Sequence, residues 1–363
     1  MDKINTVTRY SIEISFTYKL RWYHENFVLR MKFFLFDLFI RLKKGDDMII
    51  NIILLVFGFV ILIKGADLFV DGASGIASNF KVSKMLIGLT IVAFGTSAPE
   101  FAVSIKSIIS GNGDIVLGNV IGSNILNILL ILGLSALFHS LTVKNNTVKK
   151  ELPITMLITT LFAVLLSDHI FDKRLVNTFT RSDGIILILF FLVFIYYLIS
   201  MSRKKVEEEK DQNTLPITKS IIFTLIGLMG IILGSNFVVD SASFIAKALG
   251  VTERLISLTI IALGTSLPEL VTSVTATRKG EYDIAIGNVV GSNIFNIGMV
   301  IGVPISIFGG IGQINFSYID LIVMIFSSVL LFMFSFKDYK ISKKEGILFL
   351  ILFVVYYSYV LLG

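Results

Sequence analysis

The chain has 363 residues, 55% hydrophobic and 16% charged, with mean hydropathy +0.85 and a formal net charge of +6. Soluble domains carry about 25% charged residues, so this composition excludes a water-soluble globule, and its recurring apolar runs of roughly 20 residues match a bilayer's hydrocarbon thickness. With no cysteine, disulfides, thiolate metal sites, iron–sulfur clusters and thiol nucleophiles are excluded together. The Lys and Arg residues sit in short loops between apolar runs, which speaks against nucleic acid as a partner and for the lipid bilayer.

Residues 1–47 hold nine Lys or Arg, show no cleavable signal peptide, and include an apolar stretch, Met31 to Leu42, that is too short to span and is interrupted by Asp37 and Arg41. Two readings stand: an extension upstream of a true start at Met48, or an amphipathic helix on the membrane surface. Ten candidate spans follow, near 48–70, 84–108, 115–138, 151–167, 184–201, 217–240, 254–277, 284–308, 318–336 and 345–362. The most polar connection, 203–216, carries the charged run Arg203 to Asp211 and then Pro216. It divides the chain into a first five-helix unit, 48–202, and a second, 217–363.

The two units repeat each other. Gly65 and Gly234, Glu100 and Glu269, Ser123 and Ser292, and Asn127 and Asn296 are each 169 residues apart, and 89–128 shares about half its residues with 258–297. Such agreement within one chain marks duplication. Because five is odd, the second copy enters the membrane from the opposite side. That is the inverted-repeat plan of many secondary transporters, whose ligand site lies near the midplane where the repeats meet.

One set of loops carries Lys81, Lys84, Lys144, Lys149, Lys150, Arg203, Lys204, Lys205, Lys210, Lys219, Arg278, Lys279, Lys337, Lys340, Lys343 and Lys344; the other carries only Lys106, Lys173, Arg174, Arg181, Lys247 and Arg254. The positive-inside rule makes the first set cytoplasmic. The first span then starts outside, the central linker lies inside, and a cell membrane is the expected location.

The strongest motif is Gly95-Thr96-Ser97-Ala98-Pro99-Glu100, echoed as Gly264-Thr265-Ser266-Leu267-Pro268-Glu269, each in the middle of an apolar span. Proline there deletes a backbone donor and glycine permits unusual dihedrals, so the helix is expected to break and free carbonyls, those of Ala93 and Ala262. Lipid cannot satisfy such groups, which must line a buried or wet cavity. Hydroxyl, carboxylate and carbonyl oxygens thus gather at membrane depth, and these are hard ligands for calcium, sodium or magnesium. A proline kink with a hydrogen-bonded, protonated Glu is the bland alternative; ionisable groups in a bilayer are expensive and functional by default. Two such carboxylates about 5 Å apart at an effective dielectric near 20 repel by about 3 kcal/mol, so a cation or a proton must neutralise them.

The second motif is Gly118-Asn119-Val120-Ile121-Gly122-Ser123-Asn124-Ile125-Leu126-Asn127, repeated as Gly287-Asn288-Val289-Val290-Gly291-Ser292-Asn293-Ile294-Phe295-Asn296. Asn119, Ser123 and Asn127 share one helical face, and Gly118 and Gly122 form a small-xxx-small step that lets another helix approach. Amide-mediated helix packing is the plain reading; beside the duplicated acidic motif, the residues complete an oxygen cage. Asp67 and Asp71, matched by Asn236 and Asp240, read as structural groups that pair with Lys64 or cap helices. His24, His139 and His169 are scattered outside the motifs, which argues against a histidine metal site.

These paired motifs resemble the alpha repeats of the calcium/cation antiporter superfamily, in particular the microbial sodium/calcium exchangers, over essentially 48–363. The resemblance implies an all-α polytopic membrane protein of ten transmembrane helices, with the second, third, seventh and eighth enclosing the ions. It implies that Glu100 and Glu269 are the central calcium ligands, joined by Thr96, Thr265 and the carbonyls of Ala93 and Ala262. Ser97, Ser123, Ser266 and Ser292 would serve flanking sodium sites, and Asn127 and Asn296 would line the same cavity. Some relatives carry an acid at the position of Asn296; the amide here argues against a potassium requirement. The linker is too short for a folded calcium-sensing domain.

The expected function is alternating-access exchange of one calcium for several sodium ions, with no catalytic residue, no cofactor and no obligatory protein partner. Calcium/proton exchange is the nearest rival, since protons can neutralise the same pair. A passive cation channel, or an intramembrane hydrolase, which would need one asymmetric centre with a general base, fits the duplicated oxygen ligands less well.

Overall fold

The computed structural model describes residues 48–171, 175–203, 215–252, 256, 259–260, 262–314 and 317–362. The readings of the N-terminal segment and of most of the charged linker therefore lie outside the described residues. The chain divides into two units, Met1–Ile53 and Leu54–Gly363; of the first, only the opening turns of helix α1 are described, and everything below concerns the second.

Apolar helices dominate. Helix α1 is Met48–Phe80, followed by a bent pair, α2 (Lys84–Thr96) and α3 (Ala98–Ile109), and by α4 (Gly113–Phe138). Helix α5 covers 147–165, α6 is Arg181–Ser202 and α7 is Ile217–Ala248. The short α8 (Ala262–Thr265) leads into α9 (Leu267–Arg278), then α10 (Tyr282–Phe308), α11 (Tyr318–Asp338) and α12 (Lys343–Leu362). Among the described residues, seven helices are long and apolar enough to cross a membrane, and eight if α2 and α3 count as one broken span. The other two expected spans differ for separate reasons. In α5 a π-helical turn, Thr147–Glu151, precedes 14 α-helical residues, while the span expected at 254–277 lies partly outside the described residues.

Burial sorts these helices into a centre and a rim. In α10 and α4, 94% and 72% of the apolar window is buried, against 11% in α12 and 17% in α1. The duplicated motif helices are thus the core, and large apolar side chains such as Val56, Leu192, Leu225 and Val355 face outward, the arrangement that lipid stabilises rather than penalises.

Helices α1 and α7 cross at backbone contact. A Cβ on Gly65 would lie 2.7 Å from the Ile231 nitrogen, one on Gly227 2.4 Å from the Phe69 nitrogen, and one on Gly234 2.6 Å from the Leu62 nitrogen. Small residues let bilayer helices approach this closely, where dispersion contacts replace the missing hydrophobic drive.

Two short antiparallel pairings tie loops together. Strand β1 (Leu141–Thr142) pairs with β4 (Lys340–Ile341), and β2 (Asn177–Phe179) with β3 (Ile311–Ile314). At the end where β1 meets β4, Lys144 pairs with Asp283 at 2.5 Å and Lys84 with Glu281 at 2.9 Å. Loops of the Lys-rich set therefore touch one another.

Candidate functional site

Both acidic motifs break their helices at the serine. Ser97 (φ −83°, ψ 5°) and Ser266 (φ −89°, ψ 4°) stand between helices, and α2 and α3 meet at a 45° bend. Pro99 and Pro268 fall in the first turn of α3 and α9, where the proline ring is tolerated and its fixed φ suits the start of a helix. Glu100 and Glu269 follow in the same first turn, beside the positive end of the helix dipole, which favours a carboxylate.

The two halves interlock reciprocally around these acids. Thr96 donates to Asn288 Oδ1 at 3.0 Å, and the equivalent Thr265 donates to Asn119 Oδ1 at 3.4 Å. Ser97 donates to Glu269 Oε1 at 3.1 Å. Thr265 lies beside Glu100, Ser292 beside Glu269, and the two carboxylates are within range of each other's charge. Ser266 donates to Ser123 Oγ at 3.3 Å. Lower on the same helices, Asn127 and Asn296 each donate across the halves, to Asn293 Oδ1 and Asn124 Oδ1.

Glu100 and Glu269 are each 1% exposed. Both oxygens of Glu100 and one of Glu269 accept no hydrogen bond, and Ser292 Oγ, Asn127 Oδ1 and Asn296 Oδ1 are buried without a partner as well. Among the described residues, the ion pairs fall on Asp67, Asp71, Glu281 and Asp283 and none on the two glutamates. Buried acceptors in this number are costly unless something electropositive joins them. Among the described residues no three His, Asp or Glu converge, so the donor set is two carboxylates with hydroxyls and amide carbonyls, suited to a hard cation rather than to zinc or iron.

The structure corrects one expectation. The Ala93 carbonyl is not freed by the break: it accepts from Ser97 N–H at 3.0 Å and lies 3.3 Å from the Thr96 hydroxyl. Proline at position 99 deprives the carbonyl four residues earlier, that of Gly95, and in the second copy the Gly264 carbonyl is taken by Ser235 Oγ of α7 at 3.1 Å. Ala262 opens α8. The glycine step is closed by a neighbour in its second copy. A Cβ on Gly287 would lie 3.0 Å from Gly88 Cα, and one on Gly291 2.6 Å from Ala93 Cβ, while Gly118 and Gly122 have nothing within 4 Å among the described residues. Positions 257 and 258, which stand 169 residues after Gly88 and Leu89, lie outside the described residues.

Sequence reasoning missed Ser235, which has no equivalent hydroxyl because Ala66 stands 169 residues earlier. It also left Asn124, Asn293, Asn119 and Asn288 outside the proposed ligand set, although all four recur in the second motif. Asn288 holds the Glu269 carbonyl at 3.3 Å and Ser273 Oγ at 2.9 Å, so it supports the acidic turn from behind. Asp67 and Asp71 do pair with cations, but the closer partner is Lys279, 2.7 Å from Asp71, whereas Lys64 is 3.9 Å from Asp67.

Comparison with known proteins places this geometry. The family model described as sodium/calcium exchanger protein matches residues 50–200 and 219–362. A putative antiporter, CaxA, of Alkalimonas amylolytica is 37% identical over 320 residues, which is 85% of this chain and 98% of that protein. The sodium/calcium exchanger MaX1 of Methanosarcina acetivorans is 32% identical over 341 residues, covering 85% and 97%. Among solved structures, the sodium-calcium exchanger NCX_Mj soaked with 10 mM sodium and no calcium superimposes with a TM-score of 0.74 at 34% identity, over 85% of this chain and 98% of that one.

Proposed function

From the premise that this chain belongs to the sodium/calcium exchanger protein family, we propose that it exchanges calcium for sodium across a membrane by alternating access. The family makes it an integral membrane cation antiporter; the coupling ion and the moving parts are the proposal. The observation that carries it is the pair Glu100 and Glu269, one from each half, both buried and within range of each other's charge, with three of their four oxygens unpartnered. One calcium balances two carboxylates, whereas several sodium ions need more, separate oxygens; Ser97, Ser123, Ser266 and Ser292 lie around the acids to supply them. Thr96 and Thr265, Asn127 and Asn296, and the Ala93 and Ala262 carbonyls complete the proposed ligand set. The single Thr96 proton serves Asn288 at the shorter distance, which leaves the Ala93 carbonyl a lone pair for an ion.

The ten-span, inverted-repeat topology is part of the same proposal. The reciprocal bonds of Thr96 with Asn288 and of Thr265 with Asn119 support a two-fold relation between halves, and mutual contacts among the Lys-rich loops support their lying on one, cytoplasmic, side. An empty site holding two negative charges is costly to occlude, while a loaded one is attractive. Switching only when loaded would couple the two fluxes.

The test uses purified protein in sodium-loaded liposomes diluted into sodium-free buffer, with radioactive calcium outside. Uptake that depends on the sodium gradient and disappears in Glu269→Gln is expected. Uptake driven only by a proton gradient would move the protein to calcium/proton exchange through the same carboxylates, and gradient-independent flux would make it a channel.

A further inference from the structure

Asn124 and Asn293 occupy equivalent positions on α4 and α10 and meet where the two helices cross. Each donates its side-chain amide to the other's backbone carbonyl at 3.4 Å. Their own side-chain oxygens are used as well. Asn127 Nδ2 donates to Asn293 Oδ1 at 2.9 Å, and Asn296 Nδ2 donates to Asn124 Oδ1 at 3.1 Å. All four side chains are 1% exposed. A carboxamide has a donor end and an acceptor end, so a bond that fixes the nitrogen also fixes where the oxygen points. The oxygens so fixed, Asn127 Oδ1 and Asn296 Oδ1, are buried and accept from nothing.

Their surroundings identify what they await. Asn127 lies one turn beyond Ser123 and two beyond Asn119, the residues of α4 that meet Ser266 and Thr265 of the second acidic motif. Asn127 and Asn296 each open a π-helical segment, Asn127–Leu132 and Asn296–Ile301, a local widening that recurs at functional sites. Plain helix packing explains the paired amides, but not why the chain leaves two buried acceptors empty while every nitrogen in the quartet is satisfied.

We propose that Asn124 and Asn293 are positioning residues for ion binding: Asn293 holds the Asn127 amide, and Asn124 the Asn296 amide, with the nitrogen turned away, so that two carbonyl oxygens and no N–H face the cation. A flipped amide would present a positive dipole end to calcium or sodium. The ligand orientation of each half is set by an asparagine of the other, which ties site geometry to the contact between α4 and α10. The proposal rests on reading the buried cluster as a cation site.

The test is a double-mutant cycle read by binding of radioactive calcium to the full chain in detergent without sodium. Asn293→Leu removes the accepting oxygen at similar volume, and is expected to weaken calcium binding tenfold or more, equivalent to at least about 1.4 kcal/mol. In an Asn127→Asp background the same substitution is expected to cost less than about threefold, because a carboxylate presents an oxygen in either orientation. Equal losses in both backgrounds would show that Asn293 only holds the helices together and would overturn the proposal, as would unchanged binding by Asn293→Leu. If the unliganded variant fails to melt cooperatively, the mirror cycle of Asn124→Leu with Asn296→Asp puts the same question to the other half. Wild-type protein that binds no calcium would instead remove the exchange reading, so the two failures are told apart.

Discussion

Gly118 and Gly287 hold equivalent places in the two halves and stand in opposite surroundings. A Cβ on Gly287 would sit 3.0 Å from Gly88 Cα, whereas one on Gly118, an exposed residue, would meet nothing within 4 Å among the described residues. Helix α2 closes over α10 at the end that bears the α9–α10 turn, and Gly118 of α4 is exposed near the α3–α4 turn. Under the proposed two-fold relation, closure at one end and exposure at the other is what alternating access would require of a single state.

That asymmetry predicts one-sided access. The chain has no cysteine, so Gly118→Cys introduces a unique thiol. In sodium-free liposomes a membrane-impermeant thiol reagent is expected to label it from the side of the α3–α4 turn and not from the other. Labelling from both sides at equal rates would mean a continuous pore; labelling from neither would mean that the open space is closed in the membrane.

The two glutamates are expected to act as one unit. Glu100→Gln keeps the shape of the side chain and removes half of the negative charge available to calcium. Loss of one partner from a buried charge group costs about 3–5 kcal/mol, so calcium affinity is expected to fall by at least roughly 100-fold. Glu100→Gln with Glu269→Gln is expected to cost little more than either alone, measured by calcium binding to purified protein. Strict additivity would place the two acids at separate sites.

Much of this site is legible in the sequence because its chemistry is local and duplicated. Gly95 to Glu100 and Gly264 to Glu269 announce a broken helix and a buried acid before any fold is known, and one constant offset pairs Thr96, Ser97, Ser123 and Asn127 with their counterparts. What is not legible is non-local. Ser235 reaches the Gly264 carbonyl from another helix, with no spacing rule to signal it. The Ala93 carbonyl is satisfied by the turn that was expected to free it. The exposure of Gly118 depends on which elements pack beside it, and a repeat in sequence carries no information about that.

The crossing of α1 and α7 leaves no room for side chains. A Cβ on Gly227 would fall 2.4 Å from the Phe69 nitrogen and 2.7 Å from the Gly65 carbonyl oxygen. These are backbone atoms, which cannot rotate aside, so Gly227→Ala must push two helices apart. Overpacking of this kind costs about 1–3 kcal/mol, and a lower melting temperature in detergent is expected. Gly122→Ala, whose Cβ would meet nothing within 4 Å among the described residues, is expected to melt with wild type. Equal losses in the two variants would mean that helix propensity or general perturbation, rather than the crossing, sets the cost.

Helix α1 is also fastened at one end. Lys279 Nζ lies 2.7 Å from Asp71 Oδ1 and 2.8 Å from the Asp67 carbonyl oxygen, and Glu281 accepts from both Ser74 and Lys84 at 2.9 Å. These bonds join α1 to the α9–α10 turn, the closed end of the site. At the equivalent places the other half has Asp240 but Ser110 in place of a lysine, so the same link cannot form by symmetry at the opposite end. Lys279 and Asp71 are 28% and 47% exposed, and such partly exposed pairs contribute about 0–1 kcal/mol. Lys279→Ala is therefore expected to leave the melting temperature nearly unchanged. If α1 moves when access alternates, a bias of that size still shifts a balanced equilibrium several-fold. In the Gly118→Cys background, Lys279→Ala should then slow thiol labelling from the α3–α4 side, and high salt should mimic it in the unsubstituted lysine protein by screening the pair. Unchanged labelling under both treatments would show that the ion pairs only decorate the surface of a closed end held by Gly88 and Gly287.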